Sequence, residues 1–178
     1  VSYTHLSGSD TLRVRGNFTL NAHNNFRPFA NCIKIDGTII MDPTSKIENI
    51  NSSGTIEIDG NFAQAGEIDM DNGKVLVHGS YDLENTGVLR MGGGEFICDK
   101  PYYSDKAFMF LGGKMVMSDG TFEITDNSIY IASSLNDSIS GGLIKAGYSF
   151  AADYSGTFQP NGGAVSISGS TFSGFPFI

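Results

Sequence analysis

Carboxylates dominate the reactive side chains: 19 Asp and Glu stand against 11 Lys and Arg, three His and two Cys in 178 residues. Glycoside hydrolysis needs two carboxylates facing one groove, and polysaccharide lyase chemistry needs a Lys or Arg base near carboxylate-held Ca²⁺. The groups on offer are Asp59, Asp69, Asp71, Asp82, Asp99, Asp119, Lys100 and Arg90. They do not repeat as a cluster on one face, and Asp is also a favoured turn residue. The expectation is therefore a chain that is not an enzyme, with no catalytic residue assigned. A polysaccharide lyase or glycoside hydrolase fragment stays as a second alternative.

His5, His23 and His78 have no mutual spacing that suggests zinc and read as surface residues, so no metal ligand is assigned. Neither the Gly-Gly-x-Gly-x-Asp nonapeptide of calcium-binding β-rolls nor a 12-residue EF-hand loop is present. No cofactor is expected, and structural Ca²⁺ at acidic loops has no motif behind it. Cys32 and Cys98 are 66 residues apart. They read as isolated, largely buried thiols.

Aromatic side chains are the better recognition candidates, because a Tyr face stacks on sugars and gives rigid contacts at interfaces. Tyr102 and Tyr103, flanked by Lys100, Pro101, Asp105 and Lys106, sit in a break of the sequence pattern described below. Tyr102, Tyr103, Lys100 and Asp105 are the candidate ligand-binding residues. Tyr130 and Tyr154 are weaker candidates, and His23 with Arg27 in the Asn21 to Ala30 loop forms a second surface. Regular outward Thr ladders of an ice-binding face are missing, since the outward positions read Arg13, Lys34, Glu57, Leu76 and Ser166.

The elements that must position these groups follow from a repeat. Gly-containing turns recur at Ser53-Gly54, Asn72-Gly73, Gly92-Gly93, Gly112-Gly113, Gly141-Gly142 and Gly162-Gly163, spaced 19, 20, 20, 29 and 21 residues. An alternating motif recurs as Leu12-Arg-Val14-Arg-Gly16-Asn-Phe18, Ile33-Lys-Ile35-Asp-Gly37-Thr-Ile39 and Ile56-Glu-Ile58-Asp-Gly60-Asn-Phe62. It returns as Val75-Leu-Val77-His-Gly79-Ser-Tyr81 and Val165-Ser-Ile167-Ser-Gly169. Alternation of period two is the mark of a half-buried strand. A unit of about 20 residues holding two or three strands cannot bury its own apolar face and must stack on its neighbours.

The expected fold is thus all-β: a single-stranded parallel β-helix, or β-solenoid, of about eight coils, spanning 1–178 as one domain. A β-sandwich or a propeller fits the shared spacing less well. Val14, Ile35, Ile58, Val77 and Ile167 should form one inward column, and Phe18, Ile39, Phe62 and Tyr81 a second, with the Gly between them marking a corner. Loop insertions are expected near 100–106 and 127–140, and Met115 to Gly120 is read as the sixth coil's marker strand, out of phase by one residue. The apolar tail Phe172, Phe175, Phe177 and Ile178 is a candidate cap or contact with a next module.

The segments Gly141 to Phe150, Ser155 to Pro160 and Asn161 to Ser170 resemble repeats in large surface and secreted proteins of Bacteroidota, which are adhesin-like strings of β-solenoid coils. That resemblance implies architecture and an extracellular or cell-surface address. With it comes the expectation of a structural, adhesin-like segment cut from a longer protein, a rigid spacer that presents loops. A carbohydrate-binding module is the first alternative. Partners would be glycans, host or cell-surface proteins and adjacent domains of the parent chain. A net charge of −8 disfavours nucleic acid, which is bound through clustered Lys and Arg, and no apolar run approaches membrane-spanning length.

Overall fold

The computed structural model describes residues 11–28, 32–50, 54–99, 108–131, 138–152, 162–168 and 171–173. Strands there are short because the alternating stretches are short, each ended by a corner of Gly, Asp, Asn or Ser. The first coil is β1 (Thr11–Val14), β2 (Phe18–Leu20) and β3 (Asn25–Phe26); the second is β4 (Cys32–Ile35), β5 (Ile39–Met41) and β6 (Lys46–Ile50). The third is β7 (Thr55–Ile58), β8 (Phe62–Gln64) and β9 (Glu67–Met70); the fourth is β10 (Lys74–Val77), β11 (Tyr81–Leu83) and β12 (Val88–Met91). The fifth is β13 (Glu95–Cys98), β14 (Phe108–Leu111) and β15 (Lys114–Met117); the sixth is β16 (Thr121–Ile124), β17 (Ser128–Ile131) and β18 (Ser138–Ile139). Two further coils add β19 (Leu143–Ala146), β20 (Ser149–Ala152), β21 (Ala164–Ile167) and β22 (Thr171–Ser173).

Every strand pairs in parallel with its equivalent one coil away, which makes the molecule a parallel β-solenoid. The first sheet is β1-β4-β7-β10-β13-β16-β19-β21, the second β2-β5-β8-β11-β14-β17-β20-β22, and the third β18-β15-β12-β9-β6-β3. Eight rungs therefore line two faces, and six coils carry all three strands among the described residues. The leading residues of the first sheet are stacked in the order Thr11, Cys32, Thr55, Lys74, Glu95, Thr121, Leu143, Ala164, in steps of 19 to 26 residues.

Both expected inward columns form. Ile35, Ile58 and Val77 are buried, as are Ile39, Phe62 and Tyr81, while Val14, Phe18 and Ile167 near the two ends pack half-buried against the same core. Large and small residues are matched across the interior: Ile56 and Val75 share their coils with Phe62 and Tyr81, whereas Phe122 shares its coil with Ile129. Tyr81 and Phe96 have ring centroids 4.5 Å apart, and Phe96 and Phe122 stack at 5.3 Å. The buried Tyr81 hydroxyl donates to Gln64 Oε1 at 2.6 Å, and Gln64 Nε2 donates to the carbonyls of Gly66 and Val88. Burial holds the Tyr81 phenol well above its usual range.

The corner glycines stack as well. A Cβ on Gly60 would lie 2.6 Å from the Gly37 carbonyl oxygen, so only hydrogen fits between successive turns of this corner.

Two sequence expectations are corrected. Lys114–Met117 is not the sixth coil's marker strand: it pairs with Val88–Met91 in the third sheet, and Thr121–Ile124 holds the place in the first. The apparent 29-residue step mixes two different corners. Gly113 packs over Gly87, whereas Gly120 packs over Gly93 and Gly94 and is followed by Gly142 and Gly163 in that column. Second, within the span read as an insertion at 127–140, Ser128–Ile131 and Ser138–Ile139 are the ladder strands β17 and β18, and residues 132–137 lie outside the described residues. Tyr148, two residues past Ala146, which stacks on Ile124, stands in the corner-glycine place and is 48% exposed.

Candidate functional site

The outward residues of the first sheet and its following corner form two adjacent columns. Pairing puts Arg13, Lys34, Glu57, Leu76 and Ile97 in one. The other runs Asp36, Asp59, His78, Asp99, each backbone N–H bonding the previous coil at Val14, Ile35, Ile58 and Val77. Neighbours along either column are thus held about 4.8 Å apart by the backbone ladder. Asp36 and Asp59 are neighbours at that spacing and repel each other, which calls for cations.

The cations come from the same face. Arg13 Nε bonds both oxygens of Asp36, at 2.9 and 3.0 Å. Lys34 Nζ lies 2.7 Å from Glu57 Oε1 and 3.2 Å from Asp59 Oδ1. His78 bridges two coils, with Nδ1 at 2.8 and 3.0 Å from the Asp99 oxygens and Nε2 at 3.3 Å from Glu57 Oε1. The hydrogen bond with Glu57 raises the Lys34 ammonium above its ordinary range, and the same bond lowers the Glu57 carboxyl against the opposing effect of burial. His78, Glu57 and Asp59 keep 34%, 27% and 39% of their side-chain surface, enough for a small solute to reach them.

Glu57, Asp59 and His78 offer three ligand atoms within 4.8 Å of one another. The third sheet carries a related knot without an imidazole, in which Lys46 Nζ reaches Glu67 at 3.3 Å, Glu48 at 3.5 Å and Asp69 at 4.0 Å.

Of the carboxylates singled out from sequence, Asp99 bonds His78 and Asp59 lies within 4.8 Å of it, while Asp69 lies on the third sheet with Arg90 and Asp82 on the second. Asp71 and Asp119 occupy the corners after β9 and β15. Lys100, Tyr102, Tyr103 and Asp105 lie outside the described residues, as do His5 and Tyr154. Tyr130 is central in β17 and half-buried. Arg27 is committed to Glu48 at 2.7 Å, and the supposed His23 loop contains β3. Neither Cys32 nor Cys98 forms a disulfide; the two sit three rungs apart, and Cys98 Sγ donates to the Gly79 carbonyl at 3.1 Å.

Spacing among histidines missed the site because the partners of His78 are carboxylates on other coils. The legible signal was the residue before each corner Gly: Asp36, Asp59 and His78 precede Gly37, Gly60 and Gly79. No described helix is long and apolar enough to cross a membrane. Set against family models, curated proteins and solved structures, the chain matches none of them.

Proposed function

We propose that the chain is a non-catalytic, rigid segment of a cell-surface or secreted protein, a spacer that holds inserted loops at fixed places along a rod. One observation carries this reading: register survives an insertion. The corner between β13 and β14 takes residues 99–107, against three residues at the same corner between β7 and β8, yet β14 rejoins β11 in parallel at Leu83 and Leu111, and the next first-sheet strand, β16, pairs with β13 in full register. A scaffold whose ladder tolerates added loops suits display. Charge supports it too, since the outward Lys and Arg of the first sheet are drawn into ion pairs between coils rather than gathered in one reactive cleft.

The carbohydrate-binding reading stays as the second, favoured by exposed Tyr148 and by half-buried Tyr130 one coil earlier. The two separate on one preparation. The chain is screened on an array of host and plant glycans and incubated with soluble polysaccharides, beside a variant in which residues 100–107 are replaced by a two-residue Gly-Asn corner. The spacer expects an unchanged melting temperature in the shortened variant, no selective glycan signal and no new reducing ends. Selective binding lost in Tyr102→Ala, Tyr103→Ala would favour the carbohydrate module. Cleaved polysaccharide would overturn both in favour of an enzyme.

A further inference from the structure

We propose that Glu57, Asp59 and His78 form a binding site for a borderline divalent metal ion, zinc(II) being the reference case, and that Lys34 occupies the site as a displaceable counter-ion. Three observations converge. His78 Nδ1 is engaged with both Asp99 oxygens, at 2.8 and 3.0 Å. This is the carboxylate-to-imidazole contact that fixes a ligating histidine's tautomer and aims its other nitrogen at a metal. With Nδ1 held by Asp99, Nε2 is the ring nitrogen left to ligate, and it stands 3.3 Å from Glu57 Oε1.

The spacing is also that of a coordination shell. Metal to ligand distances of about 2.0–2.1 Å put the edge of a tetrahedron at about 3.3 Å, and Nε2 to Oε1 is 3.3 Å. A direct charged hydrogen bond would be shorter, about 2.7–2.9 Å. Asp59 adds a third donor within the same 4.8 Å span, leaving room for water in a fourth place. Finally, the donors stand on adjacent rungs whose backbones are bonded, Asp59 N to Ile35 O at 2.9 Å and His78 N to Ile58 O at 2.8 Å, so ordering them for an ion costs little. One imidazole with two carboxylates suits zinc and its neighbours; Ca²⁺ and Mg²⁺, which favour oxygen, gain nothing from the nitrogen.

Lys34 sets the affinity. Its ammonium bonds Glu57 and Asp59, and its flexible four-carbon stem lets it leave. Removing that charge must tighten binding, the opposite of what a merely structural lysine would do.

The test is calorimetric titration of the whole untagged chain with ZnCl₂ in a non-coordinating buffer, with ¹⁵N spectra of the His78 ring as an independent readout. Wild type should take up one zinc at this site, with Nε2 shifting and Nδ1 keeping its proton. Lys34→Met should bind about threefold to tenfold more tightly. His78→Gln and Asp99→Asn should each bind about tenfold or more weakly, with far-ultraviolet dichroism and melting temperature establishing that they fold. The proposal is overturned if His78→Gln binds like wild type, or if neither wild type nor Lys34→Met perturbs the His78 ring. It also fails if Lys46→Met, on the imidazole-free cluster of the third sheet, gains affinity as Lys34→Met does.

Discussion

Single residues on the outer faces act mainly through charge, and the pairs they form are worth little one at a time because water screens them. Glu48 shows how such a pair sets pH dependence. The hydrogen bond from Arg27 holds its carboxyl below the ordinary range, burial opposes this, and Lys46 adds to the lowering. A carboxylate with a lowered folded pKa contributes stability that is present above its unfolded value, about 4.3, and lost as pH falls through the folded value. Glu48→Gln should therefore be less stable than wild type at pH 7. The difference should close between about pH 4 and lower values, read from urea midpoints across that range. At this scale the sequence was only half legible. Inward residues such as Ile58 and Val77 announce themselves by alternation, whereas the meeting of Glu57, Asp59, His78 and Asp99 depends on which residues stack one coil away. Aligning the motifs on their corner Gly brings Asp59 and His78 into one column, but the Lys34 ion pairs and the His78 to Glu57 contact need the sheet itself.

At the scale of the strand and its corner, steric fit decides. Ala at Gly60 places a methyl against the Gly37 backbone, whose atoms cannot swing aside as a side chain would. Gly60→Ala should cost about 1–3 kcal/mol by overpacking, while exposed Gly92→Ala, whose nearest neighbour would be 3.6 Å away, should stay within about 0.5 kcal/mol of wild type. Equilibrium denaturation of the two variants checks both. Strand existence was readable from sequence because Ile33-Lys-Ile35 or Ile56-Glu-Ile58 can satisfy alternation in one way only. Strand membership was harder. Lys114–Met117 and Thr121–Ile124 have the same inward pattern and both follow glycine, so local chemistry does not say which sheet each joins. Only the stacking of Gly113 on Gly87 and of Gly120 on Gly93 separates them.

Across the whole molecule, each coil touches chiefly the coil before and the coil after, so stability is close to a sum over neighbours. Position along the rod should then govern what a core truncation does. Phe96 is fully buried between Tyr81 and Phe122, and Phe96→Ala should cost about 3–5 kcal/mol and expose amides of several central coils to exchange. Phe18 lies half-buried in the first described coil, so Phe18→Ala should cost less and raise exchange mainly in β1 and β2. Hydrogen exchange followed by mass spectrometry distinguishes a local from a spreading loss.

The stacked corners carry a consequence for how such a gene can change. Gly37, Gly60 and Gly79 repeat one corner on successive turns, with coil lengths of 23 and 19 residues leaving the inward columns undisturbed. A stretch of DNA encoding one turn, from one corner glycine to the next, could be copied in frame and the new turn would find a matching partner above and below. Recombination within the gene would then lengthen or shorten the protein in increments of about 4.8 Å, with no new fold to be invented at any step.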